Sequence, residues 1–97
     1  MNAELVRIDS VEKQQFIEFI TANDTTERIC IQGTDKIFPP TWTFDDGTMM
    51  TYFNWDEAKS EPNGGKGNLE MFNGYKWHDL DDVVSKICLP ICERRRL

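Results

Sequence analysis

The chain has no apolar run near the roughly eighteen residues that a membrane-spanning helix needs, and it has no internal repeat or low-complexity tract. Those absences argue against a membrane-spanning helix within the chain and against a repeat architecture. Basic charge is scarce: 11 Lys and Arg stand against 17 Asp and Glu, for a formal charge of −6. That balance excludes phosphate-backbone binding, so no nucleic-acid partner is expected. The only basic cluster, Arg94-Arg95-Arg96, reads as a solvated tail over 94–97. Histidine occurs once and cysteine three times. An enzyme built on a thiolate of Cys30, Cys88 or Cys92 with His78 as base would have nothing to position the reaction. A zinc site from Cys88, Cys92 and His78 matches no common spacing. Met1-Asn2-Ala3-Glu4 shows neither a basic start nor an apolar segment, so no signal peptide is expected within the chain.

What remains, with 39% hydrophobic and 11% aromatic residues over 97 positions, is one soluble domain of residues 1–97 with a single modest core. Helical spacing predicts an amphipathic helix over residues 10–22, with Val11, Phe16, Phe19 and Ile20 on its buried face and Glu12, Lys13, Gln14 and Glu18 opposite. Asp9 or Ser10 can cap its start. Asn23-Asp24-Thr25 ends it and forms a glycosylation sequon, which points to a surface loop. Residues 28–33 read as a buried strand. Pro39-Pro40 breaks the chain before a half-buried strand at Thr41-Trp42-Thr43-Phe44, and Asp46-Gly47 turns it into a second strand over 49–55. Asp45 and Asp46 are turn residues on this reading, not metal ligands. Trp42, Trp55 and Trp77 are core and platform residues.

From Asp56 to Gly67 the chain is polar and aperiodic, a long loop of the kind that carries function. Beyond it, Asn73-Gly74 marks a hairpin turn with positive φ at both residues. That hairpin folds Trp77-His78-Asp79 back toward Glu61-Pro62-Asn63. Oxygen-bearing side chains then converge from two segments, as a hard cation such as calcium requires. The last strand covers about 86–92, and alternation places Cys88 and Cys92 on one face. Cys30 can bridge to either of them, or the thiols can stay free as small buried hydrophobes.

Thr41-Trp42-Thr43-Phe44-Asp45-Asp46-Gly47-Thr48, Tyr52-Phe53-Asn54-Trp55, Glu61-Pro62-Asn63, Trp77-His78-Asp79 and Ile91-Cys92-Glu93 stand in an order and spacing that resembles the C-type lectin-like domains. The likeness runs from Glu4 to Glu93. It implies an α+β fold with one main helix, small and mostly antiparallel sheets and a long ligand-binding loop, and it implies a binding module and not an enzyme. Members usually begin with a strand and a first helix that carries a cysteine. This chain starts after that point, so Cys92 matches a position whose partner is missing. The second family disulfide has both halves replaced, at Asn68 and Asp82. If the first strand is absent, the last strand has an unpaired edge, which invites a homodimer.

The resemblance also implies the ligand: calcium-dependent recognition of mannose-type glycans, whose adjacent equatorial hydroxyls share the ion with the Glu-Pro-Asn side chains. The carbohydrate-binding residues implied are Glu61, Asn63, His78 and Asp79; the calcium donors are Glu61, Asn63 and Asp79, with Glu70 as a substitute for a family Glu that the short loop omits. Pro62 would be cis. His78 stands where the family has Asn, and imidazole is a poor calcium ligand, so calcium is expected to bind weakly or not at all. The alternative is a calcium-independent domain that binds a protein partner or has a structural role. Either setting is extracellular or secreted.

Overall fold

A computed structural model describes residues 3–22, 28–59, 61–62, 67–72, 74–80 and 88–94. Its elements run β1 (Ala3–Leu5), α1 (Val11–Ile20), β2 (Ile29–Ile31), β3 (Thr34–Phe38), β4 (Thr41–Thr43), a 3₁₀ turn at Glu57–Lys59, then β5 (Asn68–Met71), β6 (Trp77–Leu80), β7 (Leu89–Pro90) and β8 (Cys92–Arg94). The main sheet has the order β6-β5-β2-β7, flanked by two-stranded pairs β1-β8 and β3-β4. All pairings are antiparallel except β2 with β7. The fold is the expected α+β arrangement of one helix and small sheets.

Register decides which side chains face the core. Ile29 lies opposite Met71, and Met71 opposite Trp77; in the next row on the same face, Ile31 lies opposite Leu69 and Leu69 opposite Asp79. Successive residues alternate faces, so Cys30, Glu70 and His78 form a row on the other side. The core gathers Val6, Ile8, Ile17, Ile29, Ile31, Phe44, Met50, Leu69, Met71 and Trp77. Trp77 is fully buried, as its place in the hairpin requires.

The helix forms where expected but is turned the other way. Val11, Phe16, Phe19 and Ile20 are exposed, and the inward residues are Gln14, Ile17 and, just past the helix, Thr21. The reason is a hydrogen-bonding demand that hydropathy does not register. A buried indole N–H needs an acceptor, and Trp77 Nε1 donates to Gln14 Oε1 at 3.0 Å. Gln14 Nε2 in turn donates to the Tyr75 carbonyl at 3.2 Å. Ser10, not Asp9, is the cap: its Oγ accepts from Lys13 N at 3.1 Å.

Other expectations fare differently. Thr41–Thr43 pairs as a ladder with β3 across the Pro39-Pro40 turn; segment 49–55 meets it only by the bridge of Thr43 with Met49 and the Met50 N to Trp42 O bond, and reaches β6 by the bridge of Trp55 with Trp77. The Asp46-Gly47 turn is present, with Gly47 at φ 88° and Asp46 Oδ1 accepting from Thr48 N. In the β5–β6 hairpin the positive φ angles fall at Gly74 (82°) and Tyr75 (66°); Asn73 lies outside the described residues. Phe72 and Lys76 close a three-residue loop, Phe72 N donating to Lys76 O at 2.7 Å.

The last strand does not have an open edge of the kind expected. The pairing partner changes at Ile91, so Leu89–Pro90 runs beside β2 while Cys92–Arg94 pairs with β1, Leu5 opposite Cys92. The first residues of the chain thus supply the neighbour thought to be missing. The same break separates the cysteines: Cys88 bridges Cys30, tying β2 to the segment that enters β7, and Cys92 is free and exposed. Residues 86 and 87, the sequon at Asn23 and the tail beyond Arg94 lie outside the described residues.

Candidate functional site

The site is assembled where the long loop meets β6. Segment 54–56 runs along β6 and is fixed to it by backbone bonds, Trp77 N to Asn54 O at 2.9 Å and Asp56 N to Trp77 O at 3.1 Å. Glu61 N then donates to Asp56 O at 3.1 Å, which brings the Glu61-Pro62 step, a cis peptide as expected, back over the strand. Pleating points Asp79 toward the core side and His78 toward the Glu70 side.

His78 sits between two carboxylates. Its Nδ1 lies 3.0 Å from Glu61 Oε1, and its Nε2 lies 3.1 Å from Asp56 Oδ2. A neutral imidazole has one N–H, so serving both oxygens as donor takes an imidazolium, or a proton on one of the acids. Glu61 is the acid whose surroundings push its carboxyl up. Burial pushes its carboxyl above the ordinary range; His78 pulls it back, while the charge of Asp79, a hydrogen bond with the Asp79 carboxyl and the charge of Asp56 push it further up. Glu61 Oε2 is buried with no hydrogen-bond partner.

Glu70 is also buried completely, directly across from His78. Arg28 Nε approaches its Oε1 at 3.4 Å, yet neither carboxylate oxygen has a hydrogen-bond partner. Burial raises its carboxyl above the usual range, against the opposing pull of Arg28 and His78. Arg28 stacks over the Phe72 ring at 4.9 Å, and Phe72 lies 5.1 Å from the His78 ring.

Of the expected site residues, the structure brings Glu61, His78 and Asp79 together, places Glu70 one strand away beside Arg28, and leaves Asn63 outside the described residues. Among the described residues no three His, Cys, Asp or Glu side chains are grouped to hold a metal ion. The orphaned Glu61 Oε2 is an atom that a cation would satisfy; the imidazole on Oε1 and the guanidinium beside Glu70 oppose one. The donor set therefore suits calcium only weakly. Asp56 and Arg28 were not expected here. Asp56 could have been suspected from its place directly after Trp55, at the mouth of the polar loop; Arg28 carries no such local signal.

No family model matches the chain. The chain is 31% identical over 99 residues to a hepatic lectin of Gallus gallus, a match that takes in 97% of this chain and 44% of that protein, so the chain spans less than half the length of this curated relative. It is similar to the solved mouse scavenger receptor C-type lectin carbohydrate-recognition domain, with a TM-score of 0.76 and 27% identity over 98% of this chain and 72% of the other. A herring type II antifreeze protein has the same fold, with a TM-score of 0.67 and 24% identity over 97% of this chain and 74% of its own.

Proposed function

Because the chain belongs to the C-type lectin-like domains, a family of binding modules and not enzymes, we propose that it is a carbohydrate-binding domain for mannose-type glycans, with Glu61, Asn63, His78 and Asp79 as its sugar-contacting residues. The observation that supports this reading is the convergence of Glu61 from the loop with His78 and Asp79 from β6, leaving buried acceptor oxygen beside a proton donor. Adjacent sugar hydroxyls each donate and accept, so they match such a pair. Glu61, Asn63 and Asp79, with Glu70 next in line, are the donors proposed for calcium, which when bound would supply a shared ligand for two hydroxyls. His78 holds one Glu61 oxygen, so calcium binding falls toward the millimolar end.

The Cys30–Cys88 disulfide supports an oxidising, extracellular setting. Among the described residues no helix is long and apolar enough to cross a membrane. A second reading, a calcium-independent domain for a protein partner, is favoured by the His78–Glu61 contact itself, which satisfies an oxygen that calcium would otherwise take. A glycan array run with calcium and with EDTA separates the two. Mannose-type signals above galactose-type ones are expected; an array blank in both conditions sinks the sugar reading and leaves the protein-binding one.

A further inference from the structure

Beside the candidate site lies a cavity of about 300 Å³ lined by Phe53, Asn54, Trp55, Asp56, Glu57 and Lys76. One wall is aromatic. Phe53 and Trp55 stack with ring centroids 5.7 Å apart and planes within 12°. Trp55 is braced by Trp42 at 5.5 Å and Trp77 at 6.1 Å, and Phe53 is 37% exposed. The rest of the lining is polar: Asp56, Glu57, and Lys76, whose Nζ lies 3.4 Å from Asn54 Oδ1. Asp56 is the shared wall. Its Oδ2 meets His78 Nε2, and the opposite side of the same imidazole meets Glu61, so one ring separates the cavity from the candidate site.

We propose that this cavity is a second saccharide subsite, which takes one pyranose ring against the Phe53 ring backed by Trp55, next in line to the sugar held at Glu61 and Asp79. The inference rests on the carbohydrate-binding reading. A pyranose has an apolar C–H face and a rim of hydroxyls, and the cavity offers the exposed Phe53 ring with carboxylates, an amide and an ammonium around it. A volume of about 300 Å³ lies at the low end for ligand cavities, which suits one ring better than a chain of them. Two carboxylates against one ammonium disfavour sialylated or sulfated sugars, and the same excess disfavours a stacked nucleotide with its phosphates.

The test is to titrate the protein with methyl mannoside and with a mannose disaccharide, following both by calorimetry. The disaccharide should bind about five- to tenfold more tightly than the monosaccharide, and Phe53→Ala should erase that ratio while leaving the monosaccharide constant in place. Phe53→Tyr keeps the ring and should keep the ratio. Glu57→Arg, at an exposed rim position, fills the cavity without touching the core and should erase the ratio as Phe53→Ala does, which guards against a Phe53 variant that fails to fold. Equal affinity for the two sugars in the starting protein, or a ratio untouched by Phe53→Ala and Glu57→Arg, overturns the subsite and leaves the carbohydrate reading standing. No binding of either sugar overturns both.

Discussion

Two carboxylate settings in this chain are handled in opposite ways. At the chain ends, Glu93 on β8 accepts from Arg7 N at 2.8 Å and from Lys13 Nζ at 3.0 Å. Partial burial opposes its ionisation, but those two donors and the nearby positive charges outweigh burial and hold its carboxyl below the ordinary range. At the loop and β5, Glu61 and Glu70 are buried more deeply and supplied with fewer donors, and both are pushed up. The first setting fastens β8 and the start of α1 together. The second stores unsatisfied oxygen where the long loop opens, which costs stability and leaves capacity for a ligand.

Removing what both settings stand on should have the largest effect. Trp77 is fully buried, anchors β6 and donates its indole N–H to Gln14 of α1, so Trp77→Ala should cost about 3–5 kcal/mol in denaturant unfolding. An unchanged midpoint would show that the two regions do not share a core. Next comes the Cys30–Cys88 bridge, which closes a 58-residue separation. Cys30→Ala with Cys88→Ala should lose about 2–4 kcal/mol, and an unaltered melting temperature would remove the disulfide from the account.

The comparison sharpens in single carboxylates of opposite sign. Glu93→Gln should lose about 1 kcal/mol at pH 7, the pair with Lys13 being partly exposed and screened. Because the folded Glu93 carboxyl is held low, its contribution is present above the unfolded value and fades as pH falls through the folded one. Glu70→Gln should do the reverse. A raised folded value means stability present below the unfolded value and lost as pH rises through the folded one, so removing that charge should be neutral or gain up to about 1 kcal/mol at pH 7. Melting temperatures of both variants from pH 4 to 8 check the signs; parallel shifts would erase the contrast.

Much of this was legible in the sequence, and the misses share a cause. Glu61, His78 and Asp79 could be joined on paper because a hairpin turn and a loop motif are local signals. The face of α1 could not, since Gln14 is polar and its burial depends on an indole and a carbonyl more than fifty residues away. Cysteine pairing needed distances, and the break at Ile91 that sends Cys88 and Cys92 to different sheets is set by the partners β2 and β1, not by local pattern. Asp56 joined the site through pairing of segment 54–56 with β6, a contact that hydrophobic periodicity does not encode.

The central claim is that the unsatisfied setting around Glu61 is a sugar site weakened toward calcium by His78. Titrating calcium in the presence of methyl mannoside, for the starting sequence and for His78→Asn, tests it most directly. The account predicts weak binding near the millimolar range in the starting protein, with both calcium and sugar tightened by His78→Asn. If neither protein responds to calcium or sugar, and Glu61→Ala alters no binding, the claim is contradicted.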